Sequence, residues 1–317
     1  MKANIYVLLI GIITVATGIS THGLTEHVDP RTGARWYSRP ASQNLSSNDM
    51  KRFACSRFES PEEKAKRITL SKRTTSVALP ESFSARDKWP QCKTITEIRD
   101  QSNCRSCWAM GAVTAMSDRY CIATNETIRL STLNLVSCCK DCGWGCDGGW
   151  PNKAWDYWRD VGIVTEECQP YPFEPCAHTF EEKDYKPCKQ SVPKTPECSK
   201  LCGGMKYPTK YKSKQSYNLA TTEKIMEDIM EHGPVEATFE VYEDFLTYQT
   251  GVYFHRSGVL IGAHAVRIVG WGKTEQNVPY WEVANSLNNE WGENGYVRFL
   301  RGVNECKIEE DVVAGTV

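Results

Sequence analysis

Apolar and polar positions divide the chain into segments of different texture. Ile5–Ala16 (IYVLLIGIITVA) is an unbroken apolar run behind Lys2. Its twelve residues are too few to cross a bilayer, for which about 20 are needed. Small residues follow at Ala16, Gly18 and Ser20, so a cleaved signal peptide is expected over residues 1–20, with an uncleaved anchor as the competing reading. Residues 21–78 are polar and hold a single cysteine, Cys55; within them Glu62–Arg67 can be helical and Ser71–Ser76 reads as an exposed connector open to nicking. From Leu79-Pro80 onward the chain is denser. Trp108, Ala112, Val113, Met116 and Tyr120 recur at helical spacing with no proline before Pro151, which predicts a helix over 106–121 with Ser106 as its N-cap. Another helix is expected near Trp150–Trp158. Strand patterns follow at Val235–Tyr242, His264–Trp271, Tyr280–Ala284 and Gly295–Leu300.

Composition narrows the classes of function. The 317 residues are 40% hydrophobic and 24% charged, an ordinary globular balance, and the length allows two domains or one with two lobes. Thirty-eight Lys+Arg against 39 Asp+Glu leave a net charge of −1. No basic field exists to hold nucleic acid or an anionic membrane. No later stretch is long and apolar enough for a membrane span. Fifteen cysteines are many for a reducing cytosol and point to the secretory pathway. Asn44 and Asn125 stand in sequons, which become glycosylation sites on that route. Residues 21–78 then read either as a removable pro-segment or as a small N-terminal domain.

The chemistry concentrates at Gln101-Ser102-Asn103-Cys104-Arg105-Ser106-Cys107-Trp108. Cys107 falls in the first turn of the expected helix, where the macrodipole and free N–H groups favour an anion. A thiolate is the nucleophilic form, and a helix N-terminus beside an imidazolium lowers a cysteine pKa. One more disulfide half is the competing reading. Of the six histidines, His264 opens an apolar-rich strand, and Asn285 ends the strand after it. An antiparallel hairpin would bring Asn285 to His264, fix the tautomer through its amide oxygen, and leave the other ring nitrogen facing a thiol.

Taken together, Gln101…Cys107-Trp108-Ala109, Cys146-Asp147-Gly148-Gly149, Gly262-Ala263-His264-Ala265 and Ala284-Asn285-Ser286…Trp291-Gly292 resemble the papain family of cysteine proteases, and within it the cathepsin B branch. The resemblance runs in family order across nearly all of residues 79–315. It implies a papain-like, disulfide-rich α+β fold in two lobes, the N-terminal one helical and the C-terminal one rich in β structure. It implies a zymogen with a pro-segment at 21–78 lying in the groove and a mature domain at 79–317. Cys107 would be the nucleophile, His264 the general base and then acid, and Asn285 its orienting residue. Gln101 and the backbone N–H of Cys107 would form the oxyanion hole. Gly148 and Gly149 would let a substrate backbone lie close. Neither cofactor nor metal is implied. The implied partners are protein and peptide substrates and the chain's own pro-segment, with cystatin-type inhibitors as candidates; the compartment is lysosomal or extracellular.

The insertion at about 176–188 resembles the occluding loop that closes the leaving-group side of the cleft. His178 matches the first of that loop's two histidines, Thr179 replaces the second, and Asp100 matches the acidic partner of the first. Endopeptidase activity is therefore implied over dipeptide removal. The disulfides implied by similarity are Cys92–Cys121, Cys104–Cys146, Cys138–Cys198, Cys139–Cys142, Cys168–Cys202 and Cys176–Cys188, leaving Cys55, Cys107 and Cys306 unpaired. Zinc held by Cys138, Cys139, Cys142 and Cys146 is the rival reading. The nucleophile's role requires its sulfur to face the His264 ring and to stay out of any bridge. Arg105 stands where the family has glycine, which points to acidic or small residues before the cut bond. Leu287 replaces a shielding tryptophan, and Ser102-Asn103 and Ala263 replace glycines. These departures keep open a catalytically silent paralogue that binds peptides or inhibitors. Asp311 lies near the family's pocket acid for the second residue upstream of the cut.

Overall fold

The structure, a computed structural model, describes residues 23–40, 50–70, 78–179, 182–206 and 209–317. The apolar run of residues 1–20, Asn44 and the connector at 71–76 lie outside the described residues.

Three helices build the first lobe: α1 (Cys107–Thr124), α2 (Thr132–Cys138) and α3 (Pro151–Asp160). Apolar spacing makes α1 as expected, yet every residue from Cys107 to Arg119 is buried, polar ones included. A helix covered on all sides is an interior element. α1 packs on α2 and α3 and, on its other flank, on the sheet of the second lobe. It runs past the expected end to Thr124 and stops where Asn125 turns left-handed, a conformation that asparagine tolerates. The Ser131 hydroxyl accepts from the Asn134 N–H at 2.9 Å and caps α2, and Pro151 opens α3. Trp108, Leu135, Trp155 and Trp158 fill the space between the helices.

Nine strands form most of the second lobe: β1 (Thr25–Val28), β2 (Arg35–Ser38), β3 (Gln215–Leu219), β4 (Val235–Tyr242), β5 (Tyr248–Tyr253), β6 (Leu260–Lys273), β7 (Pro279–Ala284), β8 (Tyr296–Leu300) and β9 (Asp311–Thr316). With the short strands Thr69–Leu70 and Phe83–Ser84 they make one 11-stranded sheet. Its order is β1-β2-β5-β8-β7-β6-β4-β9-β3 and then Thr69–Leu70, with Phe83–Ser84 paired beside β6. α4 (Thr222–His232) connects β3 to β4. β6 is buried from His264 to Gly272 on both faces, so its sequence reads as a continuous apolar run rather than an alternation.

Both ends of this sheet come from residues 23–70. β2 pairs antiparallel with β5, setting Trp36 opposite Gly251, and Thr69–Leu70 runs parallel to β3. Gly251 has φ +101°, and a Cβ there would lie 2.4 Å from the Arg35 carbonyl oxygen, so a side chain would push β2 away. Trp36 and Phe53 are buried within the core of the second lobe. The N-terminal region is thus laid over the larger body and has no core of its own among the described residues.

Arg119 ties α1 to the sheet. Its side chain, 1% exposed, donates to the carbonyls of Gly233, Pro234 and Gly315, to the Tyr217 hydroxyl and to the Asp228 carboxylate.

Seven disulfides are present: Cys92–Cys121, Cys104–Cys146, Cys138–Cys198, Cys139–Cys142, Cys168–Cys202, Cys176–Cys188 and Cys55–Cys107. The four cysteines weighed as zinc ligands are divided among three of these bridges. The last bridge corrects the expectation that Cys55 and Cys107 stay unpaired; Cys306 is the free cysteine.

Candidate active site

Cys107 takes the first position of α1 because Ser106 stands outside helical geometry, at φ −110° and ψ 18°. The Ser106 hydroxyl does not cap the first turn as the sequence suggested. It pairs with the Tyr171 hydroxyl at 2.7 Å. The positive end of the helix dipole therefore faces the Cys107 sulfur without a capping oxygen from Ser106.

His264 lies on β6, and the ladder to β7 sets Arg267 opposite Ala284. Asn285 follows β7 directly, so its Oδ1 reaches 2.9 Å from His264 Nε2. The other ring nitrogen, Nδ1, points into the cleft, 3.2 Å from the Cys55 sulfur and 3.2 Å from the Phe53 carbonyl oxygen. The two sulfurs and a ring nitrogen of His264 all lie within 4.8 Å of one another. The Ala265 N–H donates to the Cys107 sulfur at 3.3 Å.

Cys107 was expected to stay out of any bridge, and the path of residues 50–56 overturns that. This segment threads the cleft. The N–H groups of Cys55 and Ser56 both donate to the Ala263 carbonyl at 3.0 Å, and the Gly149 N–H donates to the Cys55 carbonyl at 3.3 Å. Gly148 sits at φ +103°, a conformation that favours glycine, and a Cβ there would crowd that carbonyl at 3.3 Å. The sulfur of Cys55 thereby arrives between Cys107 and His264. The bridge is made to the N-terminal segment and leaves the opposition of Cys107 and His264 in place.

Burial moves the His264 pKa down to about 4, with the bonds to Asn285 and the Phe53 carbonyl pulling the other way. The unfolded ring titrates near 6.5. Between these values the unfolded chain binds a proton that the folded chain refuses. Stability is fully present above about pH 6.5 and falls as the pH drops towards about 4, by roughly 3 kcal/mol. Urea midpoints of the intact chain should therefore drop more steeply over this range than those of His264→Gln. Equal acid sensitivity in the two proteins would contradict burial as the cause.

Gln101 is fully buried. Its Oε1 accepts from the Ser286 hydroxyl at 2.8 Å, which turns Nε2 towards the Arg52 carbonyl at 3.3 Å and, more loosely, the Cys55 sulfur at 3.8 Å. Ser286 belongs to the quoted motif but was given no role; its signal is adjacency to Asn285.

In the 176–188 insertion, His178 Nε2 lies 2.8 Å from Asp100 Oδ1, both side chains being buried. Thr179 is engaged by a residue that sequence reasoning missed. Glu182 Oε1 accepts its N–H at 2.9 Å and its hydroxyl at 3.0 Å, while Oε2 accepts from the His178 N–H at 3.0 Å and Asn288 Nδ2 at 2.6 Å. This carboxylate thus binds the backbone and hydroxyl at the position where Thr179 stands in the loop.

Asp311 begins β9 opposite Thr238. Its carboxylate accepts the Glu59 N–H at 3.0 Å and stands 3.8 Å from Lys64 Nζ, and burial holds its carboxyl above the usual range. The Arg105 N–H donates to the Cys146 carbonyl at 3.0 Å, and its Nε is buried without a partner. Leu287 is fully buried beside the dyad, while Asn285 Nδ2 is buried without a partner. The arrangement joins a sulfur at a helix N-terminus, an imidazole oriented by an amide and an amide donor aimed at the same point. Such a set can activate a thiol and hold an oxyanion.

Residues 79–316 match the papain family of cysteine proteases, and the chain belongs to that family. It is 47% identical over 309 residues to the cathepsin B-like cysteine proteinase of Schistosoma japonicum, an alignment covering 93% of this chain and 89% of that protein. Identity to cathepsin B-like cysteine proteinase 4 of Caenorhabditis elegans is 37% over 332 residues, covering 98% of each. Among solved structures, procathepsin B S9 from Trypanosoma congolense matches with a TM-score of 0.77 at 38% identity, covering 89% of this chain and 92% of that one. The fold is papain-like, as the resemblance implied, and the chain is a cathepsin B-like cysteine peptidase.

Proposed function

We propose that the chain is the zymogen of a secretory-pathway endopeptidase, with residues 21–78 as its pro-segment and 79–317 as the mature enzyme. One observation carries this reading: Cys55 and Ser56 are held between Gly149 and Ala263, and residues 52–55 bring their atoms to Cys107, His264 and Gln101. A pro-segment in that place excludes substrate.

Once it leaves, Nδ1 of His264 loses the Phe53 carbonyl and can take the proton of Cys107. The thiolate attacks the scissile carbonyl. Gln101 Nε2 and the Cys107 N–H receive the oxyanion, and His264 returns the proton to the leaving amine. Water then hydrolyses the thioester, with His264 as base again. Asn285 holds the ring throughout. Lys64 beside Asp311 supports a pocket that accepts a basic residue two positions upstream of the cut. The unpartnered Nε of Arg105 supports a preference for acidic or small residues next to the cut. Glu182 supports endopeptidase action: its carboxylate, placed at Thr179, repels the C-terminal carboxylate that a dipeptide-removing site must hold. Secretion is supported by the seven disulfides, and Asn125, exposed at the end of α1, can receive a glycan there.

An epoxide-type thiol probe tests the assignment. After removal of the pro-segment and reduction it is expected to label Cys107, and Cys107→Ala is expected to be inert; labelling elsewhere would refute the nucleophile. Peptide-library profiling of the same protein should show internal cleavage, with dipeptide removal at least tenfold slower. Glu182→Gln combined with Thr179→His should narrow that gap. Efficient dipeptide removal by the unmodified enzyme would contradict the role given to Glu182.

A further inference from the structure

The bridge between Cys55 and Cys107 spans 52 residues of sequence and joins the N-terminal segment to the first residue of α1. Both partners are sealed, Cys55 at 1% exposure and Cys107 at 0%. Backbone bonds from both cleft walls, at Ala263 and Gly149, fix the chain on either side of the Cys55 sulfur. A segment that inhibits only by filling a cleft needs no such bond. With it, cutting the chain between the segment and the mature domain frees nothing, because the fragment stays covalently attached to the residue it covers.

We propose that this bridge is a redox latch: proteolysis of the segment alone leaves the protein silent, and activity appears only after a low-molecular-weight thiol reduces Cys55–Cys107. The inference rests on the zymogen reading given above.

The exchange balances with two thiols. A thiolate RS⁻ attacks the Cys55 sulfur, the S–S bond breaks, and Cys107 leaves as a thiolate, giving a mixed disulfide RS–S–Cys55. Cys107 is the better leaving group, since it sits at a helix N-terminus. A second thiolate attacks the mixed disulfide. The products are RSSR, the Cys55 thiol and the Cys107 thiol or thiolate; the thiol is oxidised and the bridge reduced. Burial of both sulfurs blocks the attacker, so exchange should be slow on the intact chain and faster once a cut lets residues 50–60 lift.

The test uses the full-length protein purified without reductant and then nicked by an added endopeptidase. Intact mass under non-reducing conditions is expected to show both fragments still joined, and peptide mapping should recover a disulfide-linked pair containing Cys55 and Cys107. The nicked protein should react with the epoxide probe at least 100-fold more slowly than after addition of cysteine or glutathione. Cys55→Ser should shed its fragment on nicking and label without any thiol. A nicked wild-type protein that separates into fragments, or labels at full rate, without thiol overturns the latch. So does a Cys55→Ser variant that still needs thiol. If the linked peptide is found but neither protein labels after reduction, the latch stands as chemistry and the protease assignment fails.

Discussion

His264→Ala is expected to lower kcat/KM of the processed chain, its Cys55–Cys107 bridge reduced, by about 10⁴-fold, while leaving the other disulfides formed and the fold intact. The ring does two jobs that nothing nearby can replace. In the proposed mechanism it accepts the Cys107 proton through Nδ1 and returns it to the leaving amine, while Nε2 is committed to Asn285 Oδ1 at 2.9 Å. Removing Asn285 alone should cost less, on the order of 10²-fold, because the ring remains and only its orientation loosens. Steady-state hydrolysis of an internally cleaved peptide checks both. A His264→Ala loss below tenfold would mean that another group takes the proton.

Arg119→Met should reduce the unfolding free energy by about 3–5 kcal/mol, because it leaves the Asp228 carboxylate buried without its counter-charge. It also strands the carbonyls of Gly233, Pro234 and Gly315, which now share one guanidinium. Those carbonyls come from the end of α4, the start of β4 and the end of β9, so the loss falls on the join between the lobes. Replacing both partners, Arg119→Met with Asp228→Leu, should recover part of the stability, since no charge is then left alone. Urea denaturation of the oxidised chain measures this. A drop below about 1 kcal/mol for the single change would show that water reaches Asp228.

What the sequence made legible is the chemistry that local order fixes. Cys107 at a helix start and His264 and Asn285 on and just after consecutive strands were legible because each depends on a short motif or a hairpin register; Asp100 beside His178, 78 residues away, came only from the family resemblance. The fold class followed from the same motifs. Most of the misses share one cause: they depend on where distant chain segments meet. Cys55 reaches Cys107 only because residues 50–56 are laid through the cleft by bonds to Ala263 and Gly149. Glu182 is the exception: it stands three residues from Thr179, and Thr-x-x-Glu spacing is a local signal for such a contact. β1 and β2 are only four residues each, and they are strands because β5 offers β2 an edge and β2 in turn pairs β1. Ser106 was placed at the right position with the wrong bond, since the competing hydroxyl of Tyr171 comes from 65 residues away.

The two outermost attachments of the N-terminal region carry a consequence for the molecule without it. Stripping away β2 and Thr69–Leu70 would leave β5 and β3 as bare margins, each with a row of unsatisfied amides and carbonyls. Loss of that region would thus exchange short edge strands of four and two residues for edges of six and five residues that other extended chains can join.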